Sequence, residues 1–138
     1  MLDYTKADWT ERASGLRLRN KAFIGGKFVD AASGEVFQSI NPATDGLLAN
    51  VASCDMEDVD RAVHAARTVF EVGSWSRAAP AERKVVLLKL AELIRENLEE
   101  FALLDSLDMG KLVMDAAAID VPGSAHFFQW YAEAIDKI

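Results

Sequence analysis

Cysteine is almost absent from this sequence. Its 138 residues include a single cysteine, Cys54, so no intramolecular disulfide can form. The spacing of Cys54, His64 and His126 does not match a structural zinc site, whose ligands come in closely spaced pairs. Such cysteine usage is typical of a reducing compartment, and we therefore expect a cytoplasmic protein.

Positive charge and long apolar runs are also scarce. The chain has 15 Lys and Arg against 22 Asp and Glu, a formal net charge of −7. Because phosphate groups are bound by a basic face, this balance argues against a nucleic-acid partner and against an anionic membrane surface. No apolar stretch approaches the roughly 20 residues that span a bilayer. Residues 1–12 are polar and acidic, which does not fit a signal peptide.

Nucleotide-binding glycine motifs are missing as well. Neither Gly-x-Gly-x-x-Gly nor Gly-x-x-x-x-Gly-Lys-Ser/Thr occurs, and Gly25-Gly26 instead fits a two-residue hairpin turn. There are no internal repeats or low-complexity linkers, so the chain is predicted to be one continuous piece. With 51% hydrophobic residues, a chain of this length can bury roughly two thirds of its unfolded surface.

The patterning predicts β-structure in the first third of the chain and helices after it. Residues 1–20 are predicted to be an arm or a helix. Residues 21–53 are predicted to form two β-hairpins, the first turning at Gly25-Gly26 and the second at the Asn, Pro, Asp and Gly cluster of 41–46.

Residues 55–138 are predicted to be helical. Asp55 is a suitable N-cap with Asp58 three residues later, Pro80 suits the start of a second helix, and Gly110 suits a helix end. A last helix is predicted to restart after Pro122-Gly123. The predicted buried faces are Val59, Ala62, Val63, Ala66, Val69 and Phe70 in the first helix, and Val86, Leu87, Leu90, Leu93 and Ile94 in the second.

The last predicted helix is apolar on nearly every side. It contains Phe127, Phe128, Trp130 and Tyr131, and a helix of this kind is normally buried all round. Little of the chain is left to cover these side chains, so we expect them to lack part of their burial and the sequence to be the front part of something larger. The aromatic cluster could wall a ligand tunnel, although core packing is its commoner use.

A complete catalytic apparatus is not visible. Cys54 has no histidine nearby in sequence, and we expect it to be buried for packing; His64 and His126 are expected at the surface. Asp108 lies beside Met109-Gly110-Lys111, where free helix-end carbonyls could hold a cation, or its carboxylate is merely solvated. Asp120 could cap the aromatic helix or place a negative charge at the mouth of a pocket.

Several motifs, taken in order over nearly the whole chain, resemble the amino-terminal part of the aldehyde dehydrogenase superfamily. Within it, the last motifs are most similar to the enzymes that act on aminoaldehydes of polyamine breakdown, such as the γ-glutamyl-γ-aminobutyraldehyde dehydrogenases. The motifs are Phe23-Ile24-Gly25-Gly26-Lys27-Phe28, Ser39-Ile40-Asn41-Pro42-Ala43-Thr44, Asp58-Val59-Asp60-Arg61-Ala62-Val63, Pro80-Ala81-Glu82-Arg83, Leu107-Asp108-Met109-Gly110-Lys111, Ile119-Asp120-Val121-Pro122-Gly123 and Trp130-Tyr131-Ala132.

This resemblance implies an α/β enzyme with a Rossmann-type cofactor domain, a catalytic domain and an oligomerisation arm. The present chain would be an N-terminal piece with β-hairpins followed by three or four helices. The implied reaction oxidises an aldehyde to a carboxylic acid with NAD or NADP, in a homo-oligomer. The family's nucleophilic cysteine, general-base glutamate and nucleotide-binding segment correspond to positions beyond Ile138, so residues 1–138 alone are expected to be inactive and to contribute no catalytic or cofactor-binding residue.

Two sites carry over by resemblance. A structural sodium or potassium ion is implied at oxygens of Ser39, Ile40 and Asp108, and an acid near the substrate tunnel is implied at Asp120. Hard oxygen donors suit such a cation. Leu112 departs from the family pattern, in which a proline commonly follows the Gly-Lys pair. A free-standing, non-catalytic interaction or regulatory module derived from such an enzyme is the alternative.

Overall fold

The computed structural model describes residues 4–137, so residues 1–3 of the predicted arm and residue 138 of the predicted helical part lie outside it. The prediction of β-hairpins followed by helices is confirmed. The elements are helix α1 (Lys6–Ser14), strands β1 (Ala22–Ile24), β2 (Lys27–Val29), β3 (Val36–Ile40) and β4 (Leu47–Ala52), and helices α2 (Met56–Val72), α3 (Pro80–Glu96), α4 (Leu98–Met109), α5 (Val113–Asp115) and α6 (Val121–Ala134), with a π-helical segment, Ala116–Asp120, between the last two.

The chain forms two compact units where the sequence predicted one continuous piece. Among the described residues, the first unit takes 4–17, the turn Asn41–Thr44 and 79–137. The second unit takes Leu18–Ile40 and Asp45–Ala78. The chain thus crosses between the units at the tip of its second hairpin, which no local sequence signal indicated.

All four strands of the two hairpins lie in the second unit. Strands β1 and β2 pair antiparallel around Gly25 and Gly26, whose φ angles of 59° and 81° lie in the left-handed region that a tight two-residue turn requires. Strands β3 and β4 pair antiparallel with an irregularity between Ser39 and Ile40. The two predicted hairpins are therefore confirmed.

Helix α2 begins at the predicted cap. The Asp55 carboxylate accepts a hydrogen bond from the Glu57 amide at 2.9 Å, and the Asp58 carboxylate accepts one from the Asp55 amide at 3.4 Å. The helix ends at Gly73, which has a φ of 84°. Asp58 is 1% exposed and is the one charged residue buried among residues 4–137. It reaches back to the segment after β2, where both of its oxygens accept from the Ala32 amide.

The predicted buried stripe of α2 is wrong. Val59, Val63 and Phe70 are exposed by 55%, 58% and 58%, and Ala62 is half-buried. The helix is instead attached at its first turn, through the hydrogen bonds of Asp58 to the Ala32 amide. Periodicity shows which face of a helix is apolar, but it does not show whether another element covers that face.

The core of the first unit is made of small side chains. Helix α3 packs extensively along α6, and α4 packs on the π-helical segment. The fully or nearly fully buried residues in these helices are Ala91, Ala102, Leu103, Ala116, Ala117, Val121, Ala125 and Ala132. Small residues at the contact line let helix axes approach closely.

The predicted buried face of α3 is consequently wrong in large part. Val86, Leu90 and Leu93 are exposed by 54%, 37% and 43%, and Leu87 and Ile94 are half-buried. Ala91, which the periodicity did not single out, is the buried residue of this helix. The physical reason is the packing of α6 along α3. At the line of contact, an alanine methyl group fits between the two helices, whereas the longer apolar side chains of α3 lie outside that line.

The predicted restart after Pro122-Gly123 is also wrong, because the helical path continues from α5 through the π-helical segment into α6. Proline has no amide N–H and its ring crowds the preceding turn, so an α-helix interior normally kinks there. The wider π-helical turn ends at Asp120, two residues before Pro122, and such turns absorb an interruption of the regular hydrogen-bond ladder.

None of the helices in residues 4–137 combines the length and apolarity needed to cross a membrane.

Candidate functional site

Asp120 lies at the end of the π-helical segment and is paired with a lysine. Its Oδ2 atom forms an ion pair with Nζ of Lys111, which follows the end of α4. The side chains are 36% and 33% exposed, so the pair is partly shielded from water. The hydrogen bond to Asp120 raises the pKa of Lys111, against the opposing effect of burial, and the lysine is therefore cationic at neutral pH.

The capping role considered for Asp120 is wrong. Its φ and ψ angles of −73° and −51° are helical, and its side chain accepts no hydrogen bond from the first turn of α6. Because the helix runs continuously through this position, the amides that a cap would satisfy are already within a helical path. The pairing with Lys111 was missed by the sequence analysis, although the two residues are only nine positions apart in the chain.

Asp108 is exposed in the last turn of α4, next to the glycine that ends this helix. Gly110 has a φ of 75°, and a Cβ atom there would lie 3.1 Å from Cγ of Pro42. The turn Asn41–Thr44 therefore rests against the carboxyl end of α4. Inside the turn, the Asn41 side chain accepts from the Ala43 amide at 2.9 Å. The contact between Pro42 and Gly110 explains why this turn and the end of α4, which are far apart in sequence, belong to one unit.

The other two predicted cation ligands lie in the second unit. Ser39 is half-buried and Ile40 is exposed, and the irregularity of the β3–β4 pairing falls between them. Their assembly with Asp108 around one ion stays a prediction. Within residues 4–137 there is no group of three His, Cys, Asp or Glu side chains suited to a metal, so a cation site here would have to use backbone and hydroxyl oxygens.

The aromatic residues of α6 are exposed, as the sequence analysis expected. Phe127, Trp130 and Tyr131 are exposed by 65%, 52% and 59%. Trp130 and Tyr131 stack edge to face with their ring centroids 4.9 Å apart. The buried side of this helix is its alanine face, and the aromatic side chains project from the opposite surface.

Cys54 is exposed, and the expectation that it is buried for packing is wrong. It lies in the connection between β4 and α2, directly before the helix cap Asp55, and such connections run over the surface of a protein. His64 and His126 are both exposed, as expected.

Comparison with known proteins gives the family. Residues 28–138 match the sequence model of the aldehyde dehydrogenase family. The chain is 46% identical over 132 residues to the NADP/NAD-dependent aldehyde dehydrogenase PuuC of Escherichia coli, and 48% identical over 134 residues to an aminoacetaldehyde dehydrogenase of Pseudomonas aeruginosa. These matches cover 96% and 97% of this chain and 27% of each relative.

Solved structures agree with the sequence matches. An indole-3-acetaldehyde dehydrogenase of P. syringae, in complex with NAD+ and IAA, superposes with a TM-score of 0.96 at 50% identity, over 98% of this chain and 27% of that one. A γ-glutamyl-γ-aminobutyraldehyde dehydrogenase of Burkholderia cenocepacia superposes with a TM-score of 0.94 at 45% identity, over 96% and 27%. The chain thus spans about a quarter of the length of these relatives, and it belongs to the aldehyde dehydrogenase family.

Proposed function

We propose that the complete protein oxidises an aldehyde to a carboxylic acid with NAD or NADP as the hydride acceptor. The observation that carries this proposal is the superposition, at 50% identity, on an aldehyde dehydrogenase solved with NAD+. The family resemblance implies that a cysteine thiolate attacks the aldehyde carbon, hydride then leaves that carbon, and water hydrolyses the resulting thioester. The acid is released and the thiolate is regenerated.

Residues 1–138 are proposed to support this chemistry without performing it. The chain's one cysteine, Cys54, lies on an exposed connection in the second unit and does not match the family's nucleophile. The same exposed thiol is compatible with the reducing cytoplasm that we propose as its location. The exposed apolar side chains of α2, α3 and α6 support assembly with further protein surface, and we propose a homo-oligomer.

The first expected result concerns turnover. The complete protein is expected to form NADH or NADPH from short aldehydes, whereas residues 1–138 alone are expected to form none. Cys54→Ala in the complete protein is expected to leave kcat/KM within about twofold, because surface substitutions remote from a site have small effects. The measurement is the absorbance of the reduced nicotinamide. Aldehyde-dependent turnover by residues 1–138, or loss of turnover on Cys54→Ala, would contradict the assignment.

The substrate class that we propose is an aminoaldehyde, with Asp120 providing negative charge near the substrate tunnel. Two relatives named for aminoaldehydes support this class. The ion pair with Lys111 adds a condition, because a lysine ammonium competes with a substrate ammonium for the same carboxylate. Lys111 is thus expected to moderate the charge that Asp120 presents.

A pair of substitutions tests this role. Asp120→Asn is expected to raise KM for a cationic aminoaldehyde by about fivefold, which corresponds to about 1 kcal/mol for a partly exposed ion pair, while KM for an uncharged aldehyde of equal length stays unchanged. Lys111→Met is expected to shift KM for the cationic substrate downward. The matched control is Asp115→Asn, an exposed acid in α5. Equal changes of KM for charged and uncharged aldehydes would refute a charge-based role.

A structural sodium or potassium ion is proposed at Ser39, Ile40 and Asp108. The chemistry fits: Asp108 is an exposed carboxylate in the last turn of α4, where helix carbonyls are also available, and Ser39 and Ile40 offer backbone oxygens at an irregular strand pair. We expect the Tm of the complete protein to rise when choline is replaced by sodium or potassium at equal ionic strength, and Asp108→Asn to remove that rise. A cation-independent Tm would rule out the site.

A second candidate function is a non-catalytic interaction module. It is favoured by the exposed aromatic surface of α6, since an apolar patch of this kind commonly marks a protein contact. The turnover assay on the complete protein separates the two candidates, because a module would bind a partner and reduce no nicotinamide.

A further inference from the structure

Helix α1 lies outside the part of the chain that matches the family model, which begins at residue 28. Both relatives matched over 132 and 134 residues must nevertheless carry most of this segment, because at most about six of the 138 residues fall outside either match. These relatives therefore share the segment that contains α1. Its attachment can be traced to a few side chains of the first unit.

The start of α1 is organised locally. Thr5 and Asp8 form a capping box, in which the Thr5 amide donates to Asp8 at 2.7 Å and the Asp8 amide donates to Thr5 at 3.3 Å. Trp9 is the one buried residue of this helix, and its ring packs edge to face on Tyr4 with centroids 5.1 Å apart. The capping box thus satisfies the first amides of α1 from within the segment itself.

One carboxylate on α4 holds both ends of the segment. Glu99 Oε1 accepts a hydrogen bond from the Tyr4 hydroxyl at 2.8 Å, and Glu99 Oε2 accepts one from Arg12 Nη1 at 2.5 Å. The Arg12 guanidinium also lies 4.1 Å from the centre of the Tyr4 ring. Tyr4 precedes α1 and Arg12 lies in its last turn, so the three side chains form a closed set that we call the Glu99 clamp.

The chemistry of the clamp suits a reversible contact. The hydrogen bond to Glu99 raises the pKa of the Tyr4 hydroxyl. A tyrosine hydroxyl is a donor at neutral pH even without that shift. The Arg12 and Glu99 side chains are 41% and 35% exposed, so water can replace their bond when the segment moves away. An open groove of about 720 Å³ lies beside this contact, between the end of α1 and the junction of α3 and α4. It is lined by Arg12, Leu16, Arg95, Asn97 and Leu103 among others.

We propose that residues 4–17 form a releasable arm, which the Glu99 clamp docks on α4 and which opens locally while α3 and α6 stay packed. A segment with one buried anchor and a solvent-accessible ionic clamp opens at a lower free energy than a close-packed helix pair. The contact between α3 and α6 is centred on the buried residues Ala91, Ala125 and Ala132. The exposed hydrogen bond from Arg95 to Gln129 also links these two helices, so this contact combines apolar packing with a polar link.

Hydrogen exchange followed by mass spectrometry of the full chain tests the arm. Glu99→Gln is expected to speed exchange of the amides of residues 6–14 by about tenfold, the effect of losing a charge-assisted hydrogen bond, with residues 86–95 of α3 unchanged. Glu100→Gln, on the same turn of α4, is the matched control and is expected to change neither segment. Unchanged exchange in residues 6–14, or equal acceleration in α3, would overturn the proposal.

A double-mutant cycle separates a shared clamp from independent contacts. Tyr4→Phe and Arg12→Gln are each expected to speed exchange of residues 6–14 about threefold in the native background. In a Glu99→Ala background they are expected to have no further effect, because their common acceptor is then absent. Effects that multiply fully in both backgrounds would show that the two side chains act separately, and the clamp would be rejected.

Discussion

Replacing Asp58 with alanine is expected to lower the free energy of unfolding of the full chain by about 3 kcal/mol. The Asp58 carboxylate is 1% exposed and accepts hydrogen bonds from the Ala32 amide, the Asp55 amide and the Arg61 guanidinium. It therefore closes the first turn of α2 and ties that turn to the segment after β2. Alanine removes all of these acceptors at once.

The size of this effect follows from two separate losses. A buried amide left without an acceptor costs about 1 to 3 kcal/mol, and hydrogen bonds to a charged group contribute about 1.5 to 3 kcal/mol. The Arg61 side chain is 44% exposed, so its charge can be rehydrated and adds little to the penalty. Asp58→Asn is expected to be intermediate, since one amide oxygen can still accept.

Denaturant unfolding of Asp58→Ala beside Asp60→Ala measures this effect. Asp60 is an exposed acid of the same helix, so its removal matches the change in charge without opening a buried site. Asp60→Ala is expected to change the free energy of unfolding by no more than about 0.5 kcal/mol, as ordinary surface substitutions do. Equal losses of stability in the two variants would contradict the role assigned to Asp58.

Enlarging Ala116 to leucine is expected to destabilise the first unit by about 3 kcal/mol, because extra methylene groups in a close-packed site force neighbouring side chains and backbone apart. Ala116 is 0% exposed and lies in the cluster that joins α4 to the π-helical segment through Ala102, Ala117 and Val121. A leucine side chain at this position is therefore expected to push against α4.

Ala118→Leu is the matched control for this substitution. Ala118 lies two residues further along the same π-helical segment and is exposed, so the same change adds no buried volume. We expect it to alter the free energy of unfolding by about 0.5 kcal/mol or less. Denaturant unfolding of both variants compares them directly. If Ala116→Leu were as stable as Ala118→Leu, the alanine cluster would not be close-packed.

Local chemistry was sufficient to predict the elements of this fold. The left-handed turn at Gly25-Gly26, the cap at Asp55 and the helix end at Gly110 depend on a few neighbouring residues, and all three have the predicted structure. Pro122 was the exception, because its effect depended on whether the preceding turn could widen into a π-helix.

The candidate site was predictable only in part. The family resemblance pointed to Asp120, but its ion pair with Lys111 depends on how α4 and the π-helical segment pack. The clamp on Glu99 was likewise invisible in sequence, since Tyr4 and Arg12 are more than eighty residues away from it. Pairings of this kind arise from packing, and no local period or spacing encodes them.

Family, charge balance and the order of strands and helices could thus be read from the amino acids alone, because motifs, caps and turns act over a few residues. Tertiary packing decided which apolar faces are covered. It buried alanines between the helices of the first unit and left the valines of α2, most leucines of α3 and the aromatic side chains of α6 exposed. Hydrophobicity makes a face suitable for burial, but only a neighbouring element at the right distance buries it.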